Sequence, residues 1–365
     1  MANRAEQAFN KADSLASEGR YSEAVEYYDE AIALDPMLPD AWLCRGIALN
    51  EVGGYQEALR SFDNEIAINE GNAPAWLNRG NSLRGLDRPQ EAVASYDRSI
   101  ALKPIFPGAW LFRGMAFADM GRFEEALASY DQAISMLPEI AEMWFRRGIA
   151  LGALGRHEEA LASFGTAVEK DPGHPKAWVY RGIALSQLGR PGEAVDSFDT
   201  ALSINAEDAT LWYNRAGALA DLGRSEEALG SYVKAIQICP EDARPWCDLG
   251  LLLGGLGRYA EALDCFEKAV ALDPEWARGW LNRGVALGEM GRLEEALASY
   301  DRAAALDPGN PWLWFDRGNA LLNMGRLEEA ATSYDKALSI QPDFPEAANN
   351  RGIALRRLQG GGQET

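Results

Sequence analysis

The sequence lacks the residues from which most metal and redox sites are built. Of 365 residues only His157 and His174 are histidines, and the four cysteines form no CxxC pair. A Cys/His metal site needs such ligands at close spacing, so we expect neither a metal nor a cofactor. Cysteines without a spacing pattern indicate free thiols in a reducing compartment.

Positive charge is also scarce. The chain has 35 Lys and Arg residues against 55 Asp and Glu, a formal net charge of −20. Such a surface repels phosphate backbones and anionic lipid, which argues against nucleic-acid binding. No apolar stretch has the length of a membrane span, and the start, MANRAEQAFNKA, has no apolar segment typical of a secretory signal. We therefore expect a cytoplasmic protein with no nucleic-acid partner and no membrane insertion.

The usual catalytic motifs are missing as well. The sequence contains no nucleophile elbow, no phosphate-binding loop and no HExxH motif. Acidic residues are plentiful, but they recur with the structural period described below. The sequence thus predicts a protein that is not an enzyme.

Internal repetition is what the sequence has in abundance. Tryptophan recurs every 34 residues without an insertion, and alanine recurs at the same interval. An aromatic residue follows each such alanine by four positions, and proline closes most repeats. The tryptophans are Trp42, Trp76, Trp110, Trp144, Trp178, Trp212, Trp246, Trp280 and Trp314. A fixed period of this length is typical of a solenoid built from one repeated supersecondary unit.

Each repeat has the pattern of a helical hairpin, for example residues 277–310. Trp280, Gly284 and further apolar residues recur at helical spacing and form one apolar face. Gly291 is the expected left-handed C-cap, and a second helix is predicted to start near Leu293. Gly284 is small because the two helices approach closely there. Trp280 is interpreted as a core residue rather than a ligand platform, since the same residue recurs in nine repeats.

The 34-residue period with the order Trp, Gly, Ala, Tyr or Phe, Ala and Pro resembles the tetratricopeptide repeat. The resemblance covers residues 5–344 as ten tandem repeats. Residues 345–358 are similar to one further first helix, and residues 359–365 are expected to form a flexible tail. The resemblance implies an all-α fold, a right-handed superhelical α-solenoid of antiparallel helix pairs.

One series departs from the family pattern. The residue before the first-helix glycine is usually leucine in this family, but here it is arginine in all except one place, Leu249. The arginines are Arg45, Arg79, Arg113, Arg147, Arg181, Arg215, Arg283, Arg317 and Arg351. An acid follows the aromatic residue of the second helix at Asp29, Asp63, Asp97, Asp131, Asp199, Glu267, Asp301 and Asp335.

The exceptions indicate how this series pairs. Val233 replaces the acid sixteen residues before Leu249, so both members of that pair are apolar together. We therefore predict that each acid pairs with the arginine of the next repeat, sixteen residues on, at ion-pair distance. Gly165, sixteen residues before Arg181, is not explained by this pairing.

The resemblance also implies where a partner binds. First helices of the family line a concave groove and contact ligands through the second, fifth, sixth and ninth residues of each repeat. Most of these residues are apolar here, which is typical of a surface for a protein or peptide ligand, unless neighbouring side chains cover it. The predicted groove residues are Leu43, Leu77, Asn78, Leu111, Met115, Phe145, Ile149, Val179, Ile183, Tyr213, Asn214, Leu281, Asn282 and Phe315. The Lys, Asn and Arg pattern with which some members grip acidic peptide ends is not met.

Charge varies along the predicted groove. The C-terminal part carries Arg244, Arg278, Arg356 and Arg357. An acidic segment could dock there, or these charges are simply solvated at the end of the array.

The second and third repeats deviate most from the pattern. Glu65 and Ser99 replace the close-packing alanine, and Asp87 replaces the turn glycine. A glutamate at a close-packed position is costly unless it reaches water. We therefore predict the softest joint of the array near residues 65–90.

The leading interpretation is a non-catalytic scaffold or adaptor that binds a partner segment in an apolar groove. One alternative is a self-assembling structural protein, a homo-oligomer that stacks end to end through exposed terminal helices. Another is the recognition arm of a longer multidomain protein. The sequence does not identify the partner, because folds of this kind are reused for unrelated ligands.

Overall fold

The computed structural model describes residues 2–360, which form helices joined by short turns, with no strand among them. The helices are α1 (Ala2–Ser17), α2 (Tyr21–Leu34), α3 (Ala41–Glu51), α4 (Tyr55–Ile68), α5 (Ala73–Gly85), α6 (Pro89–Leu102), α7 (Pro107–Asp119), α8 (Phe123–Met136), α9 (Ala141–Ala153), α10 (His157–Lys170), α11 (Pro175–Gln187), α12 (Pro191–Ile204), α13 (Ala209–Asp221), α14 (Ser225–Ile238), α15 (Ala243–Gly255), α16 (Tyr259–Leu272), α17 (Ala277–Glu289), α18 (Leu293–Leu306), α19 (Pro311–Asn323), α20 (Leu327–Ile340) and α21 (Pro345–Gly360). Odd-numbered helices are the first helices of the repeats and even-numbered helices are the second.

The chain divides into two compact units, residues 1–189 and 190–365. The N-terminal unit contains α1 to α11 and the C-terminal unit contains α12 to α21. Within each unit a second helix packs against the first helix of its own repeat and against the first helix of the next. Short turns make neighbouring helices antiparallel. The predicted all-α solenoid of antiparallel helix pairs is confirmed.

First helices of successive repeats also contact one another, as α5 does with α7 and α17 with α19. Each unit therefore presents a surface made only of first helices, called here the first-helix face. The sixth and ninth residues of the repeats belong to these first helices, and their role in a groove stays a prediction.

The hairpin turns depend on left-handed backbone geometry. Nine turns use a glycine with φ between 68° and 79°, among them Gly291 at 74°, as the sequence predicts. Asp87 takes the same place with φ 57°. A side chain in this region is strained relative to glycine, so this turn carries a small local cost.

Close helix packing requires a small residue in the middle of each first helix, which is glycine in most repeats and alanine at Ala12 and Ala216. A Cβ built on Gly148 would lie 2.5 Å from the ring of Phe164 on the paired second helix, and Gly284 stands in the same relation to Tyr300. No real side chain fits at that distance. The aromatic ring fills the space, which is why small and aromatic residues recur together.

The repeated tryptophans have a structural role. In all nine, the indole Nε1 donates to the carbonyl oxygen six residues earlier, at 2.8–3.2 Å. Most of these acceptors are the closing prolines, for example Pro138 for Trp144. Each tryptophan thus fixes the loop that joins one repeat to the next, in agreement with its interpretation as a packing residue.

The predicted acid–arginine pairing is confirmed in each of the eight acid-containing pairs. The nitrogen–oxygen distances are 2.5–2.9 Å, always between an acid and the arginine sixteen residues on. The arginine is the buried partner in seven of them, with 16–25% of its side chain exposed. These contacts tie the second helix of one repeat to the first helix of the next.

Seven of these eight arginines have a further partner that the sequence did not predict. In each of the seven, Nη1 donates to the hydroxyl of a serine sixteen residues further on, at 2.7–2.9 Å. Arg147, for example, bonds Asp131 and Ser163 and lies over the ring of Trp144 at 6.0 Å. Where the arginine is replaced by Leu249, the serine is replaced by the buried Cys265.

A second arginine series stabilises the start of the second helices. The arginine before each of nine second helices donates to the glutamate three residues later. At Arg156 and Glu159 both bonds of the fork are formed, at 2.7 and 2.8 Å. The guanidinium holds the pKa of the Glu159 carboxyl below its usual range. Because these pairs are exposed, they position the helix start more than they stabilise the fold.

The deviating residues of the second and third repeats find polar partners. Glu65 does not reach water, being 5% exposed, but it accepts a bond from the amide of Asn72 at 2.8 Å. Asn72 in turn caps α5 by accepting from the backbone of Ala75. The buried Ser99 donates to the carbonyl of Ala73 at 2.8 Å. The burial cost of Glu65 is thus partly offset, and the softness of this joint stays a prediction.

The last helix differs slightly from the predicted boundary. The sequence analysis ended it at residue 358, whereas α21 extends to Gly360. Residues 361–365 of the expected tail lie outside the described residues.

Candidate functional site

The predicted groove residues fall into two layers of the first-helix faces. Fifth-place residues lie in the lower layer. Leu77 is 9% exposed and Phe145 is 4% exposed, and both belong to the core. Leu43, Leu111, Val179, Tyr213, Leu281 and Phe315 are half-buried.

Phe145 shows how a fifth-place residue becomes buried. Its ring centroid lies 6.0 Å from that of Phe164 on the paired second helix and 5.6 Å from that of Tyr180 on the next first helix. His174 covers it further, with centroids 4.8 Å apart. The expectation that Phe145 is a surface anchor is therefore wrong, because the following repeat closes over it.

Ninth-place residues form the upper layer. Ile47, Leu251 and Val285 are each 37% exposed, while Met115, Ile149 and Ile183 are half-buried. These apolar side chains stand on helices whose core packing is already complete. A row of partly exposed branched and long apolar side chains is suited to contact a partner surface.

The N-terminal unit has a polar cavity of about 380 Å³ on its first-helix face. Asn50, Asn81 and Arg84 line it, and their side chains are already engaged. Asn81 accepts from the hydroxyl of Tyr96 at 2.8 Å, and Arg84 pairs with Asp119 at 2.7 Å. The cavity is thus rigid and lined by amides.

The C-terminal unit has a different cavity, about 270 Å³ in volume, between α15 and α17. Its lining is mainly apolar and includes Leu251, Val285 and Phe266. A smaller cavity of about 110 Å³ adjoins it, shares Val285 and Glu289 with it, and is also lined by Asp316.

Asp316 is the most perturbed carboxyl of this face. Burial, together with a smaller effect of the nearby Glu289 charge, raises its pKa from 3.8 to about 6. Among the described residues, the side-chain carboxylates of Asp316 and Glu289 form no ion pair and no hydrogen bond. Burial also raises the pKa of Tyr300, with the same two acids as secondary causes. The sequence did not predict this cluster, although Asp316 stands at the sixth place of its repeat, one of the predicted contact places.

Family sequence models match nearly the whole chain. A model described as tetratricopeptide repeat matches residues 43–109, 77–139, 111–175, 145–209 and 247–311. Related models match residues 12–53, 207–275 and 287–351. The chain belongs to the tetratricopeptide repeat family. This membership supports a protein-interaction scaffold in general terms. No curated protein matches the chain.

Solved structures of other tetratricopeptide repeat proteins share the fold. A chain in the crystal structure of the APC/C hetero-tetramer Cut9–Hcn1 is 17% identical, with a TM-score of 0.52 over 96% of this chain and 76% of that one. The pilF protein of Pseudomonas aeruginosa is 21% identical, with a TM-score of 0.52 over 58% of this chain and 97% of that one. At such identities the similarity shows the fold alone.

The sixth-place asparagines of this tetratricopeptide repeat chain are not equivalent. The amide of Asn78 donates to the carbonyl of Pro74 in its own helix at 3.0 Å, and that of Asn282 donates to the sulfur of Cys247 at 3.5 Å. Asn214 has no hydrogen-bond partner within the described chain and is half-buried. Of the three, it is therefore the amide best placed to bond a ligand backbone.

Three of the four thiols of these tetratricopeptide repeats are held in an unreactive state. Burial raises the pKa of Cys44 to about 12 and that of Cys265 to about 11, and it also raises the pKa of Cys247. Thiols with such pKa values are protonated at neutral pH and are poor nucleophiles. Across residues 2–360, no cluster of three potential metal ligands occurs and no helix is both long and apolar enough to cross a bilayer.

Proposed function

We propose that this chain is a non-catalytic scaffold that binds a segment of a partner protein on its first-helix faces. The observation that carries the proposal is the row of ninth-place apolar side chains. Ile47, Leu251 and Val285 stay 37% exposed although each hairpin core is filled without them. Apolar area left open on a rigid frame favours association, because its burial releases water at little conformational cost.

The rigidity of the frame supports this function. Seven arginines of the acid–arginine series join the preceding second helix to the second helix of their own repeat. Five of these seven also lie over the tryptophan of their own first helix. First helices are therefore held in register by polar contacts away from the binding row. A preformed surface loses less entropy on binding than one that must first become ordered.

The absence of catalytic activity is part of the proposal. The buried thiols are protonated at neutral pH, and the raised pKa of Asp316 has a simple cause in burial beside Glu289. These residues support recognition rather than chemistry.

A peptide library displayed on phage and selected against the full chain tests the proposal. Selected peptides are then titrated by calorimetry against Ile47→Asp, in the N-terminal unit, and Val285→Asp, in the C-terminal unit. We expect at least a tenfold loss of affinity with one of the two, because a charge is placed in the apolar row. The matched control is Val233→Asp, since Val233 is 42% exposed but stands on the second helix α14.

Two outcomes would contradict the scaffold function. One is that no peptide is enriched on the folded chain. The other is that binding survives both first-helix substitutions or is lost equally with Val233→Asp.

End-to-end self-association is a second candidate, favoured by one observation on α21. A Cβ on Gly352 would meet only the Arg356 side chain, at 3.5 Å, whereas the corresponding Gly284 and Gly318 lie under aromatic rings. A second copy could supply the missing cover. Light scattering over a range of concentrations tests this, with a constant monomer mass as the contrary result.

A further inference from the structure

The apolar cavity of the C-terminal unit has the size of a side-chain pocket. Its volume of about 270 Å³ is below the range of roughly 300–1,000 Å³ typical of pockets for whole small molecules. Phe266, 3% exposed, lines it from α16, and the partly exposed Leu251 and Val285 line it from α15 and α17. A single large apolar side chain would bury most of its surface there.

Two glycines line the cavity near the end of α15 and leave space there. A Cβ on Gly255 would meet no atom within 4 Å, and one on Gly254 would only touch the Cβ of Ala262 at 4.0 Å. Packing inside this chain therefore does not require glycine at either place. Glycine in a helix costs about 0.5–1 kcal/mol relative to alanine, so an open cavity is kept here at the expense of helix stability.

Uncompensated negative charge borders the same cavity. Glu289 lines both the apolar cavity and the adjoining one, and Asp316 lines the second. Within residues 2–360 neither carboxylate has a salt-bridge or hydrogen-bond partner. The raised pKa of Asp316 agrees with this geometry, since no cation is among its causes.

The basic residues of this face do not neutralise these two acids. Arg278 stands at the start of α17 and Glu289 at its end, eleven residues apart, or about 16 Å along a helix axis. Arg244 is held by Asp242 at 2.6 Å. Binding of an acidic partner segment beside Arg244 and Arg278, at the starts of these helices, stays a prediction. The opposite helix ends, which border the cavity, are acidic.

Resting on the scaffold function above, we propose that this site binds a partner segment with one large apolar side chain and a nearby Lys or Arg. The apolar side chain enters the 270 Å³ cavity, and the cation lies beside Glu289 and Asp316. The net charge of −20 attracts basic segments in general. The two unpaired carboxylates localise this attraction beside the cavity.

Peptides selected from the displayed library on the full chain provide the first test. Those that bind the C-terminal unit should combine Leu, Met, Phe or Trp with Lys or Arg within a few residues. Gly254→Leu fills the cavity without a backbone clash and should weaken these peptides at least tenfold. Gly152→Leu is the matched control, because Gly152 takes the same place in its repeat and is equally open; it should leave their affinity unchanged.

A charge exchange tests the cation. Glu289→Lys should weaken a selected peptide at least tenfold, and changing the peptide's Arg to Glu should weaken binding to the native chain similarly. Combining the two changes should restore most of the affinity. Since Glu289 is exposed, this substitution leaves the fold intact, and circular dichroism verifies this.

The outcomes separate this inference from the scaffold function. The inference is overturned if peptides lose affinity with Ile47→Asp or Val285→Asp but keep it with Gly254→Leu, or if the selected peptides show no preference for basic residues. The scaffold function is not contradicted by either result. A failure of every peptide to depend on the first-helix faces overturns both.

Discussion

Replacing Arg147 by leucine tests how consecutive repeats are joined. Arg147 is 21% exposed, pairs with Asp131 at 2.7 Å, donates to Ser163 at 2.7 Å and lies over Trp144. The half-exposed ion pair contributes about 0.5 kcal/mol, the hydrogen bond from a charged donor about 1.5 kcal/mol and the cation–π contact about 0.5 kcal/mol. Because leucine restores some apolar packing, we expect Arg147→Leu to cost about 2 kcal/mol at this junction.

The protein itself contains the control for this experiment. At one junction the acid, arginine and serine are replaced together by Val233, Leu249 and Cys265. Leu249 is 6% exposed and Cys265 is 7% exposed, so this version packs as an apolar contact. Introducing all three changes, Asp131→Val, Arg147→Leu and Ser163→Cys, should therefore cost less than Arg147→Leu alone, by about 1 kcal/mol.

Native-state hydrogen exchange is the suitable assay, because long repeat arrays do not unfold in two states. Opening free energies of α8 to α10 would be compared between the native chain and the two variants. Arg156→Leu serves as a reference, since its exposed pair with Glu159 should contribute less to stability than the more buried Arg147 contacts. A triple variant less stable than the single one, or an unchanged single variant, would refute the reasoning.

Three further substitutions have directional outcomes. Gly148→Ala should lower the thermal midpoint, since its Cβ would lie 2.5 Å from the Phe164 ring and overpacking costs about 1–3 kcal/mol; the cost should be at the low end of this range because α13 accommodates the buried Ala216 at the same place, and an unchanged midpoint contradicts this. Asp316 has a raised pKa of about 6, so its stability penalty grows as pH rises from about 4 and is complete above about 6. Asp316→Asn should therefore stabilise the protein by about 2 kcal/mol at pH 7.5 and hardly at pH 4, with equal effects at both pH values as the contrary result. Asp87→Gly should slow amide exchange near residues 65–90 slightly, because glycine relieves the left-handed strain at φ 57°; faster exchange would contradict the softness attributed to this turn.

Contacts that follow the repeat period were accessible from the sequence. Because each repeat has the same length, residues at the same place in different repeats contact residues at one common place in the neighbouring repeat. Where both partners change together, as Val233 and Leu249 do, the change reveals which two places pair. The same comparison could have found the serine series, since Cys265 replaces serine at that junction. The sequence therefore contains the information needed to predict the serine contacts.

The exposure of individual groove residues was not accessible in this way. Phe145 and Leu111 share the fifth place, yet Phe145 is 4% exposed and Leu111 is half-buried. The difference comes from the next repeat, whose His174 and Tyr180 rings pack on Phe145. The place of a residue within the repeat therefore predicts which helix face it occupies. It does not predict the exposed fraction of its side chain, which depends on the neighbouring repeat.

The helix pairs, their turns and the joints between repeats were determined by local spacing, because they depend on contacts that recur every 34 residues. The apolar cavity and its acidic border were decided only by tertiary structure. They arise where Gly254, Phe266 and Val285 of three different helices leave one gap, with Glu289 at its edge. A gap is a property of the space between side chains, and no single period in the sequence encodes it.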